Sequence, residues 1–217
     1  SDVCSSDLDY YTDAMSHIRV GVIGREAEVH APLGRIGWGE VSVVEKVVGF
    51  KKIKYHTHEN VGFGEVNLPE LQMHSTALWL IYERTRLAEL PWSRAAILDG
   101  LGGLAQALRI VASIGLMTDP RDIGFCLGEF IEGEEVPTKG AERVAGEDYD
   151  PTLFIFERIP GGVGLAERLH LEREALLANA ARLIQSCACA RGCPACVGPV
   201  IQTGALPADE APSEAAP

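Results

Sequence analysis

Cys187-Ala-Cys189-Ala-Arg-Gly-Cys193-Pro-Ala-Cys196 gathers four of the chain's six cysteines into ten residues. A disulfide framework scatters its cysteines, whereas clustering of this kind favours a metal. Four thiolates suit one zinc ion in a closed tetrahedral shell, with no position left for water or substrate, so the expected role is structural. Softness and sulfur geometry alone do not separate zinc from an iron–sulfur cluster, and that alternative stays open here. The gap between Cys193 and Cys196 is that of a zinc knuckle, and Gly192 can take the positive φ that turns the chain back towards the metal.

Upstream, Leu165, Leu169, Leu176, Ala180 and Leu183 recur at helical spacing, and four residues further lies Cys187. The spacing predicts one long helix over 161–187 that delivers the first cysteine from its buried side. It opens on Pro160-Gly-Gly-Val-Gly164. Amides exposed at a helix N-terminus can bind an anion such as a DNA phosphate, which makes Gly161, Gly162 and Gly164 candidate contacts. Glycines also permit a tight turn and close packing, and no Gly-Lys-Ser/Thr follows to make a phosphate-binding loop of the nucleotide kind.

Further out, strands are expected over 123–131 and 152–158. Between Gly128 and Asp150 stand eight carboxylates against Lys139 and Arg143, read as a solvated loop. Ser93 is a reasonable N-cap for a helix over 93–115 with Ile97, Leu101, Leu104, Leu108 and Val111 on one face and Gly115 as its stop. Residues 17–82 read as β-rich: β-branched residues crowd Val20 to Val48, Gly34, Gly37 and Gly39 punctuate them, and 71–82 forms a further strand. The fold class is therefore α+β, a β-rich N-terminal part with two main helices packed on it and a C-terminal four-cysteine knuckle.

The net charge of −12 argues against a large generic surface for nucleic acid. Lys51, Lys52 and Lys54 nonetheless form a local basic strip that can touch phosphates, or else a charged edge strand that resists aggregation. His56, His58 and His74 lack an evident fourth metal ligand and read as a solvated strand face, and Asp119-Pro-Arg-Asp122 reads as turn and capping chemistry. Ser75, Thr76 and Cys126 have no recognisable base partner, so no nucleophile is proposed. No apolar run approaches membrane length, no membrane partner is expected, and the expected compartment is the cytoplasm. Residues 1–8 resemble translated readthrough of a sequencing adapter, and 203–217, rich in Pro, Ala and Glu, is expected to be a disordered tail.

The order of these motifs resembles the zinc-binding C-terminal domain of DEAD/DEAH-box helicases of the mitomycin-repair type. The resemblance rests on Val48-Gly-Phe-Lys-Lys-Ile53, Leu68-Pro69, Thr76-Ala-Leu-Trp-Leu80, Asp119-Pro-Arg-Asp-Ile-Gly124, Phe154-Ile-Phe156, Pro160-Gly-Gly-Val-Gly-Leu-Ala-Glu167 and Gly192-Cys-Pro-Ala-Cys-Val197, across roughly residues 40 to 200. It implies that Cys187, Cys189, Cys193 and Cys196 ligate one structural zinc. It implies further that motor domains in cis, missing from this chain, bind ATP and Mg2+ and act on DNA. Family members often continue past the last cysteine with a Ser-Pro-Lys-Cys-Gly type segment, where Val197-Gly-Pro-Val-Ile201 stands here, which implies another subgroup. The chain holds neither a Gly-x-Gly-Lys-Thr loop nor an Asp-Glu-x-His box, so helicase activity would belong to those other domains. A reading of another class is a stand-alone zinc-stabilised protein-interaction module, such as a phage-defence component.

Overall fold

The computed structural model describes residues 9–57, 59–133, 149–190 and 192–198. The expectations for residues 1–8, for His58, for most of the acidic loop and for the tail lie outside these residues.

Two long strands dominate. β1 (Tyr10–Ala31) and β2 (Gly34–Lys54) pair antiparallel along their whole length. β2 also pairs with β3 (Asn60–Glu65) and β4 (Leu71–Tyr82), and β4 with β6 (Pro151–Glu157), which pairs in turn with β5 (Ile123–Glu129). The sheet order is β1-β2-β4-β6-β5, with β3 beside the far end of β2. Gly34 punctuates the region as expected, opening β2 directly after the turn at Pro32 and Leu33, but the strand runs unbroken through Gly37 and Gly39, which do not. The reason is packing: a Cβ on Gly37 would stand 2.5 Å from the indole nitrogen of Trp79, so glycine makes room for the largest core side chain.

Register shifts at Met15/Ser16, Val22/Gly24 and Arg25/Ala27 bend and twist the hairpin. The curl brings the two edges of the sheet together. Val22 N donates to Ile131 O and Gly133 N to Val22 O, both at 2.9 Å. Arg25 reaches the Glu132 carboxylate beside them, and its guanidinium lies over the Phe130 ring. The enclosed face holds Val20, Val22, Val41, Val43, Ala77, Trp79, Ile81, Cys126, Phe154 and Phe156. The outer face carries Ile36, Leu78, Leu80, Leu153 and Ile155 against the helices. β4 and β6 are therefore covered on both sides, which explains why their apolar residues run continuously instead of alternating.

The helices are α1 (Arg84–Leu87), α2 (Arg94–Leu116), α3 (Leu165–Leu171) and α4 (Arg173–Ser186). The Ser93 hydroxyl caps α2 by accepting from Ala96 N at 3.3 Å. Gly115 does not end it; the chain closes through Met117 in the left-handed region at φ 52°, where the Met117 and Thr118 amides reach back to Ile114 O and Ser113 O. By length and composition α2 is also long and apolar enough to cross a membrane, with a mean hydropathy of 1.4, contrary to the expectation for this chain. Here its Leu101, Ala105, Leu108, Ala112 and Leu116 are buried, most of them in the outer core under the sheet and α4.

The single helix expected over 161–187 is two. Glu172 departs from helical geometry at φ −95°, ψ 14°. The stripe explains the break: after Leu169 its next turn falls on Glu172 and Arg173, which cannot enter the core, and it resumes at Leu176. Arg173 Nη1 donates to the His170 carbonyl at 2.9 Å and caps the interruption. His170 is buried beside it, and burial, then the Arg173 charge, lowers its pKa.

Candidate metal centre and glycine latch

α4 ends at Ser186, and Cys187 leaves it in extended conformation. The chain then loops through Cys189, turns at Gly192 with φ 88°, and folds 193–197 into a tight turn in which the Cys196 and Val197 amides donate to Cys193 O at 3.1 and 3.0 Å. The four Sγ atoms all lie within 4.8 Å of one another. Three of the separations, Cys187–Cys193, Cys189–Cys196 and Cys193–Cys196, are 3.6 Å. A tetrahedron of sulfurs at zinc–thiolate bond length has edges of about 3.8 Å, so the donor set and its spacing fit zinc. All four thiols are free, since a disulfide would hold two sulfurs at about 2.05 Å.

The thiols are not equivalent. Backbone amides, that of Ala195 foremost, and then the Cys187 thiol draw the Cys193 thiol down to about 7. Hydrogen bonding with the thiols of Cys187 and then Cys196 pushes Cys189 up to about 12, since it favours the protonated thiol. Cys193 N also points at Cys196 Sγ, 3.3 Å away. Val197 seats the knuckle on α2: its Cβ would stand 3.1 Å from a Cβ placed on Gly103. Among the described residues this is the one His/Cys/Asp/Glu group close enough for a metal ion.

Of the two readings its sequence allows, the glycine segment takes the tight, closely packed turn. Gly161, Gly162 and Gly164 all have positive φ, of 80°, 68° and 90°. Gly162 lies so close to β4 that a Cβ would meet Thr76 Oγ1 at 2.6 Å. Gly161 N donates to His74 O at 2.9 Å. The anion at the start of α3 is the chain's own. Glu157, 2% exposed, accepts Val163 N at 2.5 Å on Oε2, and Ala166 N at 2.9 Å and Thr76 Oγ1 at 2.5 Å on Oε1. A phosphate has no room to displace a buried carboxylate from these donors, so the segment is a latch between β6, β4 and α3. Ser75 Oγ, within 2.7 Å of Glu157 O and 2.9 Å of Ile159 O, belongs to the same latch. Sequence reasoning missed Glu157; the one local signal is a carboxylate four residues before a Gly-Gly pair.

The other candidates separate. Lys51 pairs with Asp13 and Phe63, while Lys52 and Lys54 pair with Thr12 and Tyr10. The alternation of a strand therefore places Lys51 on one face and Lys52 and Lys54 on the other, so they are not one strip. His56 follows the end of β2, whereas His74 pairs with Ser42, twelve residues before Lys54 and on the order of 40 Å away along the strand. Asp119 accepts Arg121 N at 2.8 Å and Arg121 Nη2 at 2.8 Å, and these bonds hold its carboxyl down at about 2. Arg109 donates to Pro120 O and Ile123 O, fastening that turn to α2. Cys126, sealed in the inner core, donates to Ile18 O at 3.1 Å, and burial pushes its thiol up to about 12.

Residues 104–197 match the family model described as the MrfA Zn-binding domain. The chain is 29% identical over 196 residues to the uncharacterized ATP-dependent helicase YprA of Bacillus subtilis (strain 168), covering 90% of this chain and 24% of that protein. It also resembles the crystal structure of the DUF1998 helicase MrfA bound to DNA, with TM-score 0.60 and 28% identity over 91% of this chain and 24% of that one. A further structure of the DUF1998 helicase MrfA shares the fold at TM-score 0.56 and 21% identity, covering 86% of this chain and 23% of that one. The chain thus spans about a quarter of the length of the relatives it matches.

Proposed function

We propose, from the premise that residues 104–197 form a MrfA Zn-binding domain, that this chain is a zinc-stapled accessory domain of an ATP-dependent DNA helicase. Cys187, Cys189, Cys193 and Cys196 are the ligands of one structural zinc ion. The observation that carries this is the gathering of four thiols at the end of α4, in a turn seated on α2. When bound, the metal joins the chain's last described segment to its core. Apparent binding energies of about 10–16 kcal/mol for such zinc sites equal or exceed the whole stability of a typical domain. The protein's residues do the rest: the Glu157 latch fixes α3 to β4, and the edge closure at Val22 fixes the sheet.

In this reading the partners are motor domains in cis, which bind ATP and Mg2+, and the DNA they act on, in the cytoplasm. The test is the gene upstream of residue 9. Two motor domains carrying a Gly-x-Gly-Lys-Thr loop and an Asp-Glu-x-His box are expected; a natural start codon near residue 9 with no motor would overturn the helicase assignment.

One observation favours a second reading, a protein-interaction module. Trp92, Ile114 and Met117, at the two ends of α2, are 63%, 72% and 89% exposed. A pull-down that finds the domain bound to a protein other than a motor, and unable to stimulate a motor ATPase, would select that reading.

A further inference from the structure

The cysteine knuckle delivers the chain to a groove on α2. Val197 packs on this helix, its Cβ 3.1 Å from where a Cβ on Gly103 would stand. One residue on, Gly198 has φ 74°, and a Cβ there would meet Gln106 Cγ at 2.5 Å. Gly103 and Gln106 lie about 4.5 Å apart along the helix axis, and one step of the chain covers about 3.8 Å. Residues 197 and 198 therefore run along α2 towards its C-terminus, on the stripe that Gly103, Gln106, Ile110 and Ser113 share.

Ahead of Gly198 on that stripe is a groove of about 150 Å3, lined by Gln106, Arg109, Ile110, Ser113, Ile114 and Pro120. Its charged and hydroxyl groups are already bound. Arg109 donates to Pro120 O and Ile123 O, and the Ser113 hydroxyl donates to Arg109 O at 2.8 Å. Two isoleucines, a proline and the alkyl stems of Gln106 and Arg109 are left to meet a partner. Ile114, at the far end, is 72% exposed. Such a surface favours aliphatic side chains, whose transfer out of water is what stabilises the contact.

The sequence supplies those side chains at the right distance. Pro199-Val200-Ile201 follows Gly198, and no charged residue stands between Gly198 and Asp209. Ile114 is about 12 Å beyond Gln106 along the helix, and three extended residues reach about 10 Å. Pro199 brings no backbone amide that an apolar groove would leave unpaired.

We propose that Pro199-Val200-Ile201 docks in this groove, with Val200 and Ile201 against Ile110 and Ile114, so that the knuckle and the residues after it clasp the second half of α2. The proposal rests on the placement of Val197 and Gly198 and is independent of the helicase reading.

The test puts the photocrosslinker p-benzoylphenylalanine at the exposed Ile114 position of the full 217-residue chain, purified with zinc. Irradiation and peptide mass mapping should join it to residues 199–202 of the same chain. Ile201→Asp should reduce that crosslink at least about fivefold and lower the melting temperature by about 2–4 °C. Gln202→Asp, which adds the same charge one residue on, should do neither. Circular dichroism should show every variant folded. A crosslink between two copies, crosslinks only to other parts of the chain, or no protein crosslink from a folded chain would each overturn the proposal, as would equal melting temperatures for wild type and Ile201→Asp. One zinc per chain with no crosslink to 199–202 rejects the docking alone, whereas upstream sequence without a motor rejects the helicase reading whatever the crosslinker does.

Discussion

Glu157 Oε1 accepts the Ala166 backbone amide at 2.9 Å, so the carboxylate that closes β6 also caps α3. The same buried side chain takes Val163 N and the Thr76 hydroxyl. Hydrogen bonds to a charged group contribute more than neutral ones, and a donor left facing a donor costs its full desolvation. Glu157→Gln keeps the shape but turns one acceptor into a donor opposite an amide. It should destabilise the chain by about 2–3 kcal/mol in urea unfolding, with Gly161–Gly164 losing amide protection first. Wild-type stability would mean that the latch is ornamental.

Met117 is the one non-glycine residue with positive φ among the described residues, and it is 89% exposed. Its side chain makes no packing that a replacement would lose. Met117→Gly should therefore raise stability by about 0.5–1 kcal/mol, because glycine takes the left-handed cap without the Cβ penalty. Thermal unfolding of the two chains under one condition measures the sign.

The described cysteines should divide sharply in their chemistry. Cys126 is sealed in the inner core with its thiol raised to about 12, so it should resist maleimide in the native state. The knuckle thiols should be protected only while metal is bound. Mass mapping after chelation should find label on Cys187, Cys189, Cys193 and Cys196 before Cys126. Label on Cys126 in the native chain would contradict the closed inner sheet.

Acid should release the metal. Thiolates bind it and protons compete for them, so affinity falls as pH falls through the range in which the ligands protonate. Cys189, held high by its neighbours, is the ligand that most needs the cation to ionise. Zinc release followed with a chromophoric chelator should accelerate steadily below neutral pH, and Cys193→Ser should show little bound zinc at any pH.

What was legible in the sequence follows from how local each signal is. The cysteine cluster and the Ser93 cap are written in adjacent residues, and the apolar stripe of α2 repeats within one helix. The β-rich character of the N-terminal part was equally plain from its valines. The length of β2 was hidden, because Gly37 and Gly39 look like turns and are in fact clearance for Trp79 and for the backbone of β1. The break at Glu172 was half legible: two charged residues interrupt the stripe, but only packing decides whether a helix bends there. The latch was invisible, because the donors Glu157 gathers come from β4, the glycine turn and α3. An anion-binding glycine segment reads the same whether the anion is a ligand or a neighbouring side chain.

The most direct test of the account is the metal itself. Elemental analysis of the purified 217-residue chain should find one zinc per chain, and none in Cys193→Ser. Iron in its place, or a folded wild-type chain with no metal at all, would contradict it.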